Sequence, residues 1–267
     1  MRHKLIPLLL NLVSAVAYGQ QYDSTYGKPL IVLSEASGWP KAETDVPSFA
    51  LYENGQIIYK QIENKHLRIY EVTLSKIALQ NVIQLLGITD TVYKLPNNIT
   101  AGSWSCMPIN WLIINFDSTK IIRVYGGIEN DSEARANTPK QFLTVYDNIK
   151  KYKSDSANEW LPDKIEVNFS RYPPPIEIPP FFGIYWTTNK RPWIPGFPDL
   201  HSPTTVKRRG GIYYVYIDKK DYGAFKTYYS SMEKNQAVEI NGKKMFIGYR
   251  LAFPNLETLH DPSSPKQ

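Results

Sequence analysis

The sequence holds one cysteine, Cys106, in 267 residues. No internal disulfide can form, which excludes a disulfide scaffold and a Cys-rich zinc module. Histidine is scarce too: His3, His66, His201 and His260 are the only four. None belongs to a His-Glu-x-x-His pattern, so the familiar spacing of a catalytic zinc site is missing. No Gly-x-Ser-x-Gly occurs, and no histidine stands beside a serine in a recognisable signature. Gly126-Gly127 and Gly210-Gly211 lack the Lys-Ser or Gly-x-Gly context of a phosphate cradle. Beyond residue 19 no apolar run approaches the roughly 18 residues of a membrane helix. Hydrophobic residues at 42% are nevertheless too many for a disordered chain.

The first 19 residues read as a secretory signal. Arg2, His3 and Lys4 make a basic start, and residues 5–17 are an apolar run interrupted by Pro7 and Asn11. Ala15-Val16-Ala17 supplies small residues for cleavage after Ala17, and Gly19 offers a second register. The run is short for a bilayer that needs about 20 residues. The expected location is outside the cytoplasm, periplasmic or secreted. The formal net charge of +6 falls to +4 when Arg2 and Lys4 leave with that segment. Such a mild excess favours solubility and does not argue for a nucleic-acid partner.

In the mature chain, Pro47-Ser48-Phe49-Ala50-Leu51-Tyr52-Glu53-Asn54-Gly55 followed by Gln56-Ile57-Ile58-Tyr59 spells a β-hairpin. Asn54-Gly55 tolerates the positive φ angles of a tight turn, and Phe49 and Leu51 should share a face. A first helix is predicted behind an N-cap at Ser75. It carries Leu79, Val82, Ile83 and Leu86 at helical spacing and stops at Gly87. Residues 111–116 and 120–125 form a second hairpin around Asp117-Ser118. Thr138-Pro139-Lys140-Gln141 reads as a capping box for a second helix with the stripe Phe142, Val145, Tyr146, Ile149 and Tyr152. Residues 164–169 close the first region as a strand.

Nine of the 20 prolines fall within residues 171–203, which argues against regular structure there. The same stretch holds Phe181, Phe182, Tyr185, Trp186, Trp193 and Phe197, so it is not a plain linker. The last region reads as a βαββ unit. It has a strand over 212–217, a helix capped by Asp218 with Tyr222, Phe225, Tyr229 and Met232, and a hairpin turning at Asn241-Gly242. The organisation is therefore a signal peptide (1–19), an α+β region (20–170), a proline- and aromatic-rich strap (171–206), a βαββ unit docked on the first region (207–257) and a polar tail (258–267). The fold class is α+β: an antiparallel sheet built from hairpins with two helices, plus that βαββ unit.

The Pro-x-Phe-x-Leu-Tyr-x-x-Gly hairpin at residues 47–55, with the helix, hairpin and helix after it, resembles a broad group of uncharacterised exported bacterial domains. The likeness covers roughly residues 30–170. It implies a small α+β sheet around the hairpin and no known activity, so no functional residue is carried over from it.

Few residues carry chemistry in this sequence. Cys106-Met107 could be soft copper ligands, but adjacent ligands without a nearby histidine make a weak set, and a buried loop thiol is the plainer reading. Glu129-Asn130-Asp131-Ser132-Glu133 is the densest acidic stretch, and its place just before a helix suits the positive helix end better than calcium. Lys207-Arg208-Arg209 and Lys243-Lys244 are basic patches that could meet phosphate or an anionic polymer, and are otherwise a solvated loop and a hairpin flank. Aromatics make up 13% of the chain, and exposed ones bind glycans and partner proteins well. Tyr185, Trp186 and Trp193, in the strap, are the candidate ligand-binding residues. No metal and no cofactor is expected, and no catalytic residue can be picked out. The reading that follows is an exported, non-enzymatic binding or interaction domain at the cell envelope, with a glycan or a protein as partner. The alternatives are a glycan hydrolase using an Asp/Glu pair, since 25 acids leave that open, and a structural accessory with no ligand of its own.

Overall fold

The structure, a computed structural model, describes residues 23–36, 46–63, 66–104, 107–171, 189–233 and 236–256. The signal segment, Cys106, most of the strap with Tyr185 and Trp186, and the tail lie outside the described residues.

Strand β1 (Pro29–Ala36) begins with Pro-Leu-Ile-Val-Leu, and all five residues are buried. A strand points successive side chains to opposite faces, so such a run must be covered on both sides. It sits between β2 (Phe49–Tyr52) and β6 (Ile109–Asn115), antiparallel to both. The sheet continues on one side through β3 (Gln56–Glu63), β4 (His66–Thr73) and the short β8 (Asn158–Glu159). On the other side it continues through β7 (Thr119–Tyr125) and ends at β5 (Asn98–Thr100), which runs parallel to β7.

One face of this sheet carries Ile31, Leu33, Phe49, Leu51, Ile57, Leu112 and Ile122. Helices α1 (Lys76–Leu85), α2 (Asp90–Tyr93), α3 (Ser132–Ala136) and α4 (Lys140–Lys151) cover it. The opposite face carries Val32, Ala50, Tyr52, Ile58 and Ile113, and is closed by Trp160 and Phe253. Phe49 and Leu51 do share a face, with Ala50 and Tyr52 on the other.

The second sheet has the order β10-β13-β14-β9-β12-β11. Its strands are β9 (Lys164–Arg171), β10 (Lys190–Pro192), β11 (Val206–Arg208), β12 (Ile212–Asp218), β13 (Ala237–Ile240) and β14 (Lys243–Arg250). Helix α5 (Tyr222–Ser230) lies between β12 and β13, so the βαββ order is present, and the class is α+β. Strand β9 departs from expectation. It does not close the first sheet but pairs with both β12 and β14 at the centre of the second. Its alternation explains why: Ile165, Val167 and Phe169 face a core with Val215, Ile217, Val238, Ile247 and Phe225.

Local signals resolve in instructive ways. Ser75 caps α1, accepting from the Ala78 N–H at 3.3 Å. Gly87 follows that helix at φ +79°, and its N–H donates to the Gln84 carbonyl. The two Asn-Gly pairs make different turns. Asn241 and Gly242 both have positive φ, as a two-residue hairpin loop requires. At the first hairpin only Gly55 does, and the loop is the three residues 53–55. The capping box at 138–141 does not form, because Thr138 Oγ1 donates back to the Ala134 carbonyl and Pro139 occupies the cap. Asp218 does not cap α5 either. It pairs with Lys164, and a 3-10 turn over Lys219–Asp221 precedes the helix. Asp131, by contrast, accepts from the N–H groups of Glu133 and Ala134, which is the helix-entry role read from the acidic stretch.

Trp193 follows β10 into the second core and is only 7% exposed. Its ring meets Phe169 edge-on with centroids 5.0 Å apart, and meets Tyr228 at 5.7 Å. Its indole N–H donates to the Pro198 carbonyl at 2.9 Å. Trp193→Ala is expected to cost about 3–5 kcal/mol, the range for emptying an aromatic site in a packed core. Denaturant unfolding of the two proteins measures it.

Candidate functional site

The period of two along β1 sends Glu35 to the same face as Ile31 and Leu33, towards the helices. An acid at a core-facing position must find partners. Glu35 sits at the end of β1, opposite Asn110 of β6. Ser48, just before β2, is drawn alongside by its N–H, which donates to the Leu33 carbonyl at 2.8 Å. On α4, Tyr146 and Lys150 are four residues apart and therefore on one side of the helix.

The three meet on one carboxylate. The Ser48 hydroxyl donates to Glu35 Oε2 at 2.5 Å, and the Tyr146 hydroxyl to Oε1 at 2.5 Å. The Lys150 ammonium lies 3.1 Å from Oε2 and 3.3 Å from Oε1. It also reaches Glu129 Oε1 at 3.3 Å. Burial pushes the Glu35 carboxyl up, but the Ser48 and Tyr146 hydroxyls and the Lys150 charge together outweigh it and hold it below its ordinary range. For Lys150, burial works downward and the Glu35 carboxylate outweighs it, so its pKa is raised. Burial and then Glu35 raise the Tyr146 phenol well above its usual range.

These groups form one wall of a cleft of about 490 Å³. Pro108, Ile128 and Ile149 add apolar wall, and Asn110, Gln61 and Asn130 add amides. Asn110 is fixed by donating to the carbonyls of Val124 and Gly126 at 3.3 and 2.8 Å. Ile62 and Leu67, cross-strand partners near the tip of the β3–β4 hairpin, form an apolar lip and are 77% and 43% exposed. Lys153, past the end of α4, is exposed and forms no ion pair among the described residues.

The arrangement speaks to chemistry. Glu35 and Glu129 share one ammonium, so a carboxylate pair does sit in the cleft. General-acid work would need one of them protonated near neutrality. Glu35 is held ionised, and Lys150 is held protonated and is no base. The Ser48 hydroxyl donates a hydrogen bond to Glu35, whose lowered pKa makes it a weak base for activating a nucleophile. Among the described residues no group of three His, Cys, Asp or Glu is gathered to hold a metal. No helix among them is long and apolar enough to cross a membrane.

Of the three sequence candidates, Trp193 lies in the second core rather than on an open shelf, and Tyr185 and Trp186 fall outside the described residues. The cleft residues were missed. The available signal was parity: Glu35 two residues after Leu33 and Asn110 two before Leu112 put polar groups at core-facing strand positions. No protein-family model, no curated protein and no solved structure matches this chain.

The ionisation of Glu35 gives the site a pH signature. Its folded pKa lies below the ordinary 4.5. The stability it contributes is therefore complete above about pH 4.5 and is lost as pH falls through the lower folded value. Glu35→Gln should destabilise the protein by about 1–3 kcal/mol at pH 7. The difference from the parent should shrink towards pH 3, as read by urea unfolding at the two pH values.

Proposed function

We propose that the protein is a non-enzymatic binding domain of the cell envelope, and that its ligand occupies the cleft beside Glu35. The observation that carries this reading is the fixed wall of the cleft around Glu35. Ser48, Tyr146 and Lys150 all converge on the Glu35 carboxylate, and Glu129 shares the Lys150 ammonium. Such a wall is pre-shaped, which favours recognition, and its hydrogen bonds disfavour Glu35 as a general acid. The apolar lip of Ile62 and Leu67 beside fixed amides suits a ligand with an apolar face and hydroxyl or amide groups, as an envelope glycan fragment has. Lys153 would meet a carboxylate on such a fragment. The leader-like first 19 residues support the location.

Thermal melting against glycan and peptidoglycan fragments tests the reading. A fragment at about 100 times its Kd should add roughly 2.7 kcal/mol, a rise on the order of 5–10 °C. Ile62→Asp combined with Lys153→Glu should abolish that rise without lowering the melting temperature of the free protein. A rise that survives in the double variant counts against the cleft. A panel in which nothing shifts favours a structural accessory. Cleavage of a fragment, lost in Glu129→Gln, favours the carboxylate-pair hydrolase.

A further inference from the structure

The two basic patches that stand apart in sequence meet on the second sheet. Lys207 lies on β11 and Lys243 begins β14, with β12 and β9 between them in the sheet order. Tyr213 of β12 brings them together. Its ring has the Lys207 ammonium 5.7 Å from its centroid and the Lys243 ammonium 5.3 Å away, and Lys243 Nζ is 3.4 Å from its hydroxyl. Tyr214, the next residue of β12, points to the opposite face, so the Arg208 guanidinium 4.7 Å from its ring centroid lies outside this cluster. Arg171 ends β9 two residues beyond Phe169, the partner of Tyr213, and is exposed.

Lys207, Arg208, Lys243 and Arg171 are all exposed, and none forms an ion pair with a carboxylate among the described residues. That separates them from three other cations of the same sheet, although Arg191 on β10 likewise lies over a tyrosine, Tyr228. Lys164 is paired with Asp218, Lys190 with Glu239 and Arg250 with Glu166. The tyrosine faces fix where these cations sit without cancelling their charge. The Lys243 hydrogen bond, helped by the Lys207 charge, also holds the Tyr213 phenol below its ordinary range, as an uncompensated positive field requires.

We propose that this end of the second sheet, Lys207 and Lys243 laid over Tyr213 with Arg171 on the same face, is a binding surface for a phosphate-bearing polymer. The inference is independent of the cleft, since it uses other residues on the other sheet. A polymer is favoured over a single phosphate because the cations lie on open tyrosine faces. An isolated ion held there would keep most of its water, whereas a chain of phosphates gains a contact at each cation and releases counterions at each.

Long-chain polyphosphate is the probe, with binding to the whole protein followed by calorimetry at several salt concentrations. The expected result is binding that weakens steeply with salt. In Lys207→Gln/Lys243→Gln it should fall by about tenfold, with a salt slope shallower by about one unit per lysine. Lys219→Gln/Lys220→Gln, changed at the far end of β12, should bind like the parent. The proposal is overturned if polyphosphate does not bind, if both double variants lose affinity equally, or if inorganic phosphate binds as tightly as the polymer. Binding to phosphatidylglycerol vesicles without binding to polyphosphate would also overturn it, in favour of a membrane surface.

Discussion

The structure depends on one constraint: strands β1, β2 and β3 are apolar on both faces. Ile31 and Leu33 look one way while Val32 looks the other, and Phe49 and Leu51 oppose Ala50 and Tyr52 in the same manner. Each buried aliphatic or aromatic side chain contributes roughly 1.5–3 kcal/mol only if water is kept from it. Two covers are therefore needed. The helices supply one. The other comes from Trp160 and Phe253, whose rings meet edge-on 5.3 Å apart over the sheet. Phe253 is held there by its neighbours: the Pro254 carbonyl accepts from the Tyr52 hydroxyl at 3.0 Å, and Asn255 donates to the carbonyls of Asp23 and Gly27.

What could be read from the sequence was local. The Ser75 cap, the Gly87 stop, the α4 stripe and the Asn241-Gly242 turn follow from neighbours within a few residues, and all are present. Failures came where a local device was overruled by something nearby in space. Thr138 had a better acceptor in the end of α3, and Asp218 had a lysine across the sheet in Lys164. Strand partners could be read within the three hairpins and not beyond them. Nothing in residues 164–169 says that β9 belongs between β12 and β14, because its alternation would serve either sheet. Trp193 was misjudged for a related reason. Prolines around it argued against regular structure, yet three residues of β10 suffice to carry its ring into a core.

The two sheets handle charge in opposite ways. At the cleft a carboxylate is drawn into a core-facing position and satisfied by two hydroxyls and an ammonium that it shares with Glu129. At the β11–β12 end of the second sheet Lys207 and Lys243 lie over one tyrosine ring with no carboxylate paired to them among the described residues. Parity along a strand marked the first in retrospect. The second needed the sheet order, since Lys207 and Lys243 are 36 positions apart and converge only through a tyrosine that belongs to neither patch.

The tie between Asn255 and residues 23–27 also sets the order of events during synthesis. A ribosome releases the first sheet and Trp160 long before it releases Phe253, so the cover of the Val32 and Tyr52 face stays incomplete until almost the whole chain has emerged. The native state is thus gained late, through contacts between residues more than 200 positions apart. Until then that face keeps part of its apolar surface exposed, a hazard for aggregation.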